Sequence, residues 1–281
     1  MWPFSRNPVV PVLRFNGPIG LATPLRPGLS IATTADAIHQ AFKASKTPAV
    51  AIIINSPGGS PVQSSLIYKR VRHLAEETGK AVYVFCEDVA ASGGYYLAAA
   101  GDEIYADASS IIGSIGVISA GFGFTEAIDK LGIERRVYTS GDSKSQLDPF
   151  QPENEDDIER LKAVQRDIHD AFIGVIKERR GAKLSAPDKE VFSGAFWSAQ
   201  KAQEVGLIDG ISDVRAKMRE VFGDKVRLKL ISSARPGLLG MFKRQPGVTD
   251  HTNDAGELPD QIANSLISAI ESRMLWSRFG L

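Results

Sequence analysis

Residues 49–59, Ala49-Val-Ala-Ile-Ile-Ile-Asn-Ser-Pro-Gly-Gly59, decide the fold class. Ala49 to Ile54 is a continuous apolar run of strand length. Lack of alternation marks a strand covered on both faces, as in a parallel sheet. The Asn55-to-Gly59 loop ends it, and a helical stripe follows at Val62, Leu66, Val71 and Leu74, with Ile67 beside them, closing at Gly79. A second covered strand comes next, Ala81-Val-Tyr-Val-Phe-Cys86. Strand, loop, helix and strand in this order predict an α/β architecture.

The rhythm extends in both directions. Upstream, Val9-Val-Pro-Val-Leu-Arg-Phe15 is strand-like, and its prolines suit a strand start or an edge. Residues 17–30 read as a Gly- and Pro-rich loop, with Thr34 or Asp36 as the expected cap of a short helix through Lys43. Downstream, Ala90 to Ala100 is small and helix-competent. Glu103 to Ala106 and Ser114 to Ser119 are strand-like, and Phe124 to Leu131 is helical up to Gly132. The longest helix is expected from Pro152 or Glu153 to Arg179. Its acidic start and basic end (Lys177, Arg179, Arg180) complement the helix dipole, and Gly181 suits the position just past its end. Ser198 is the expected cap of a final body helix that ends at Gly206.

Composition changes after about residue 231, into Pro-, Gly- and Ser-containing linker sequence. The domain expectation is a catalytic body over 1–231, a linker over 232–257 and an amphipathic helix over 258–281. That terminal helix carries Ile262, Leu266, Ile270 and Met274 at four-residue steps, and reads as a docking or oligomerisation helix.

Charge and cysteine content narrow the function classes. Lys plus Arg and Asp plus Glu are both 33, so no net basic field gathers nucleic acid. A single cysteine, Cys86, excludes an intramolecular disulfide and reads as a small buried hydrophobe. The four histidines, His39, His73, His169 and His251, are scattered, without HExxH or a Cys/His pair at ligand spacing. No metal site or cofactor is expected. No run of eighteen apolar residues predicts a membrane-spanning helix, and no signal-peptide stretch follows Met1.

Three segments carry possible chemistry, each after a strand. In Asn55-Ser-Pro-Gly-Gly59 the glycines let the backbone approach a substrate and turn N–H groups outward. In Ala90-Ala-Ser-Gly-Gly-Tyr-Tyr96, Ser92 at a helix start exposes a hydroxyl beside the Gly93 N–H, which is what acyl transfer requires. Cap or turn roles explain either segment taken alone. Thr139-Ser-Gly-Asp-Ser-Lys-Ser-Gln146 offers Lys144 as a base in place of histidine, provided its pKa falls from about 10.4 towards about 7–8 by desolvation.

These motifs in this order, together with Ile111-Ile-Gly-Ser-Ile-Gly-Val117, resemble the signal peptide peptidase A (SppA) family of serine–lysine proteases. The resemblance spans about residues 49–215 and includes Phe196-Trp-Ser-Ala-Gln-Lys-Ala-Gln-Glu-Val-Gly-Leu-Ile-Asp209. It implies Ser92 as nucleophile, Lys144 as general base, Gly59 and Gly93 as oxyanion-hole amides, and Ser114 as the residue that hydrogen-bonds the lysine. The segment around Ser114 resembles the family's extended substrate-binding strand. The implied fold is the Clp protease/crotonase-like fold of repeated ββα units. The implied assembly is a homo-oligomeric ring whose neighbouring subunits contribute to the active sites, with serine and lysine both within one chain length in single-repeat members. Many members carry an N-terminal membrane anchor, which this sequence lacks. The expectation is therefore a cytoplasmic or peripherally membrane-attached endopeptidase acting on unfolded or apolar peptides, signal-peptide remnants among them. The rival expectations are a crotonase-like acyl-CoA enzyme, which would bind CoA, and a catalytically inactive ring-forming scaffold.

Overall fold

The structure, a computed structural model, describes residues 7–21, 28–141, 143–232 and 269–281. Its elements run β1 (Val9–Asn16), α1 (Ile31–Lys43), β2 (Ala49–Ser56), α2 (Pro61–Thr78), β3 (Ala81–Ala91), α3 (Gly93–Ala98), β4 (Glu103–Ala106), β5 (Ile111–Gly113), α4 (Thr125–Lys130) and α5 (Glu155–Arg180). They continue with α6 (Asp188–Val191), β6 (Phe196–Ser198), α7 (Ala199–Glu204), β7 (Gly210–Ile211), α8 (Val214–Phe222) and β8 (Arg227–Leu230). The strands form one sheet in the order β6-β5-β3-β2-β1-β8, with β4 between β3 and β7. Every described pairing is parallel except β5 with β6.

The covered run at 49–54 lies where such a run must. Val50, Ile52 and Ile54 face a layer containing α1, α2, α3 and α5 residues, among them Ile38, Phe42, Ile67, Val71, Tyr95, Phe172 and Ile176. Ala51, one residue out of phase, joins Val10, Val12, Phe85, Tyr105 and Met218 in a second core under α8. Helix ends follow local chemistry: Ser60 accepts from Gln63 N–H with Pro61 behind it, and Gly79 closes α2 at φ 61°.

Several expectations are corrected. The cap of α1 is Ser30, in a reciprocal pair with Thr33; Thr34 lies within the first turn and donates back to the Ser30 carbonyl at 2.7 Å. Strand β1 is not an edge, because β8 pairs with its outer side. Pro11 is tolerated because pairing with β2 begins one residue later, at Val12↔Ala51. Strand β3 continues to Ala91, so α3 occupies only part of the expected 90–100 helix. The strand expected over 114–119 is instead the short β5, which ends at Gly113 because Ser114 takes φ 52° and breaks the ladder. Gly181 has φ −49°, and a 3₁₀ turn through Lys183 prolongs α5. After α7 come β7, α8 and β8, which the sequence reading left out.

Two ionic clamps fix α5 on the sheet. Asp209 accepts from Arg180 (2.7 Å), Lys183 (2.6 Å) and the Ile104 N–H of β4 (2.7 Å). Asp102 accepts from Arg72 (2.9 Å), Arg179 (2.8 Å) and the Val82 N–H of β3 (2.8 Å). Most residues of 118–141, 143–154 and the amino-terminal half of α5 are exposed, among them Ile118, Phe122, Leu131, Ile133 and Tyr138.

Of the expected tail, residues 233–268 lie outside the described residues; 269–277 are helical. Phe279 is buried against Val89 and Ala91 with Ile111 and Trp276, and its ring stands edge-on to Phe196 at 5.3 Å.

Candidate active site

Strand β3 carries the site, and a bulge aims it. Pairing with β2 shifts from Ile54↔Cys86 to Ser56↔Ala90, leaving extra β3 residues at Glu87 and Asp88. The Asn55 amide bridges the break, donating to Asp88 at 2.6 Å and accepting from the Val89 N–H at 3.3 Å. Beyond the bulge, β3 leaves β4 and pairs with β5 through Val89–Ala91.

Ser92 stands at the turn from β3 into α3 with φ 53° and ψ −123°. Among the described residues only Ser92, Ser114 and Leu147 hold positive φ without being glycine. Such backbone costs about 1–3 kcal/mol and persists only where its surroundings enforce it. Here the Ser92 N–H is tied to the Gly113 carbonyl at 2.8 Å, and its carbonyl accepts from Tyr96 N–H at 3.0 Å. Although Ser92 occupies the N-cap position of α3, its side chain makes no capping hydrogen bond. A serine on a strained strand-to-helix turn with its hydroxyl uncommitted has the geometry of a nucleophile elbow, here without the Gly-x-Ser-x-Gly sequence.

Backbone packs around this turn too tightly for side chains. A Cβ on Gly58 would lie 2.8 Å from both the Gly93 nitrogen and the Ser92 Cβ, and one on Gly94 would overlap the Ser56 carbonyl. Gly59 has φ 140°, and its Cβ would overlap the Ile19 carbonyl. Ile19 secures the loop from outside, donating to the Gly58 carbonyl at 2.8 Å and accepting from Ser60 N–H at 2.9 Å. Ser56 Oγ accepts from Gly58 N–H at 3.2 Å and donates to the Gly17 carbonyl at 2.8 Å. With these groups engaged, the N–H groups of Gly59 and Gly93 have no acceptor among the described residues. One of these amides lies beside Ser92 and the other on the facing loop, and uncommitted backbone N–H groups are the kind of donor that can hold an anion. Gly58, Ser56 and Ile19 are contributors that sequence reasoning missed. The Gly-Gly pair signalled Gly58, but Ile19 is remote in sequence and left no signal.

Ser114 is brought beside Ser92 through Gly113. It is buried, its N–H donates to Ala195 at 2.7 Å, and its hydroxyl has no partner among the described residues. Lys144 is different. It lies exposed on a surface turn held by its own N–H to the Gly141 carbonyl at 3.2 Å. Its side chain makes no hydrogen bond or ion pair among the described residues, so one chain does not join it to Ser92 or Ser114.

Other chemistry finds little support. Burial pushes the Cys86 thiol up to about 12, which removes it as a nucleophile. We expect Cys86 to resist alkylation by iodoacetamide in the folded protein and to react once denatured, as mass spectrometry would register. Among the described residues no cluster of His, Cys, Asp and Glu suits a metal ion. A cleft of about 390 Å³ near Arg14, Asn55 and Asp88 contains neither Ser92 nor Lys144. Its Asp107 and Asp213 already accept from the backbone N–H groups of Ser109 and Arg215, at 2.8 and 2.7 Å.

Residues 75–225 match the sequence profile of peptidase family S49. A putative protease of Synechocystis sp. is 32% identical over 68% of this chain and 70% of its own length. A putative signal peptide peptidase SppA of Enterococcus faecium is 32% identical over 58% of this chain and 46% of its own. A Brucella abortus protein named as a Na(+)/H(+) antiporter, NhaA, is 52% identical over 97% of this chain. The chain spans 37% of that relative's length.

Proposed function

The chain belongs to peptidase family S49, and from that we propose that it is a serine endopeptidase with Ser92 as nucleophile and Lys144 as general base. The observation that carries the proposal is the strained Ser92 turn, flanked by the uncommitted amides of Gly59 and Gly93.

In this mechanism a neutral Lys144 amine takes the Ser92 proton as Oγ attacks the scissile carbonyl. The Gly59 and Gly93 N–H groups hold the resulting oxyanion, each worth about 2.7–4 kcal/mol of barrier. The Lys144 ammonium then protonates the leaving amine, and water releases the acyl group. A solvated ammonium is a poor general base, because water stabilises its charged form. We therefore propose that a neighbouring copy completes the site, covering the exposed apolar residues of 117–154 and desolvating Lys144 against a Ser92–Ser114 pair. A homo-oligomeric ring supplies such neighbours. The proposed substrates are unfolded or apolar peptides, which suit recognition through backbone groups.

The match to the protein named as an antiporter covers 37% of that relative, and no helix among the described residues is long and apolar enough to cross a membrane.

A fluorophosphonate probe tests the proposal: wild type should be labelled, and Ser92→Ala should not. CoA binding without labelling would favour the acyl-CoA enzyme, and neither signal would favour the scaffold. Gly58→Ala should lower kcat about 10²-fold while the protein stays folded, because the added Cβ must displace the Ser92–Gly93 backbone. Unchanged kcat would remove the close-packing argument.

A further inference from the structure

Past Gly113 the chain loses its neighbour on the β3 side, because β3 turns away at Ser92. On its other side Ser114 N–H remains bonded to Ala195, and Gly116 lies against Gly194, where a Cβ would stand 3.0 Å from the Gly194 Cα. The result is a short stretch of backbone, backed along one edge and starting beside the nucleophile. The N–H groups of Ile115, Gly116 and Val117 have no acceptor among the described residues. Backbone donors left unpaired where a ladder ends are what an extended peptide uses to add itself as a strand.

Such a stretch needs support, since Ser114 lies in a left-handed conformation and the regular ladder has ended. The Ile115 side chain provides one anchor, being fully buried in the main core. The other comes from α5: His169 Nε2 lies 3.1 Å from the Ile115 carbonyl oxygen. A carbonyl only accepts, so Nε2 carries the proton and donates. Because the peptide bond is trans and planar, fixing this carbonyl directs the Gly116 N–H the opposite way, away from His169. His169 is well placed to hold it. It shares a helix face with Phe172 and Ile176, both buried in the core, and the helix is clamped at its far end by Arg179 and Arg180.

We propose that His169 is a positioning residue for peptide binding: its hydrogen bond to Ile115 locks residues 114–117 in the shape that receives an extended substrate backbone. The proposal rests on the protease reading of Ser92. It assigns His169 no contact with the reacting atoms and no proton transfer.

The test separates strand docking from chemistry. In a Ser92→Ala background, a fluorescein-labelled octapeptide rich in leucine and alanine is titrated by fluorescence polarisation. His169→Leu, which fills space without a donor, should raise Kd about 10-fold, the loss of one well-placed hydrogen bond. His169→Gln, whose side-chain amide can donate to the same carbonyl, should stay within about 3-fold of the parent. With Ser92 intact, fluorophosphonate labelling rates should stay within about 2-fold in both variants, because the probe is too short to use the strand. If leucine unfolds the chain, His169→Ala replaces it with the same expectations. Unchanged Kd in the donor-less variant, failure of glutamine to restore binding, or a parallel fall in labelling would each overturn the proposal. Labelling of the protein that keeps Ser92, with no octapeptide binding by the Ser92→Ala parent, would overturn it too. Octapeptide binding by the Ser92→Ala parent, with no labelling of the protein that keeps Ser92, would instead sink the serine-protease reading.

Discussion

Ser92→Ala is expected to lower peptide hydrolysis by about 10⁴-fold or more, the scale on which serine hydrolases lose activity when the nucleophile is removed. Lys144→Ala should lose a comparable amount, because nucleophile and base act as one unit and removing either disables both. Circular dichroism and size-exclusion profiles should match wild type in both variants. Ser92 makes no side-chain cap, and the Lys144 side chain makes no hydrogen bond or ion pair among the described residues. The more demanding measurement mixes the two variants after dissociation and reassembly. If Lys144 serves a neighbour's Ser92, random mixing in a head-to-tail ring leaves about a quarter of the sites with both groups, and activity should return to about that level. A mixture that stays inactive would exclude completion of the site by a neighbouring copy. The exposure of Lys144 in a single chain makes this experiment necessary, since the amine is joined there to neither serine.

The second large effect concerns stability. Arg180 is 1% exposed, and its charge is balanced by Asp209 at 2.7 Å. Asp209→Ala should destabilise the fold by about 3–5 kcal/mol, because it leaves a buried guanidinium unpaired. It also removes the acceptor for Ile104 N–H and the link from α5 to β4. The expected result is a lower denaturation midpoint with little change in the slope of the transition. The same carboxylate contributes to acid lability. Burial pushes the Asp209 pKa up, but Arg180, Lys183 and the Ile104 N–H outweigh it and hold the carboxyl below its ordinary value. A lowered folded pKa gives stability that is complete above the unfolded value, about 3.9, and is lost as pH falls through the lower folded one. Asp102 is shifted the same way: burial raises it, and the Val82 N–H, Arg179 and Arg72 prevail. Acid unfolding of wild type should therefore steepen below about pH 4, and Asp209→Ala should lose part of that dependence. An unchanged midpoint and acid profile would mean that Asp209 is not the clamp described here.

How far the site was legible varied residue by residue. Ser92 and Gly93 were singled out by the order of the motifs around them, because a serine before two glycines taken alone also reads as a cap or turn. Gly59 was read as half of a Gly pair, but the structure adds that its neighbour Gly58 packs on the Ser92–Gly93 turn, where a Cβ would lie 2.8 Å from the Gly93 nitrogen. Asn55 stood in the quoted motif without a role; the structure uses its amide to patch the β3 bulge. Ile19 and His169 gave no signal, one being an apolar residue in a loop and the other a lone histidine on an amphipathic helix. Both act through backbone groups remote in sequence, and a pattern of side chains does not record those.

The opening stretch, 49–59, by itself determined a covered strand leading into a Gly-rich loop, and its repetition downstream determined an α/β chain. Hydrophobic burial and glycine's freedom are local enough to read residue by residue. Only the tertiary structure decided that β8 would cover β1, that β3 would bulge to pair with β4 and then β5, and that the Ser92 turn would be held at φ 53°. Those outcomes depend on hydrogen bonds and close backbone contacts between residues far apart in the chain. Strand pairing and backbone strain become properties of the molecule only when distant segments meet.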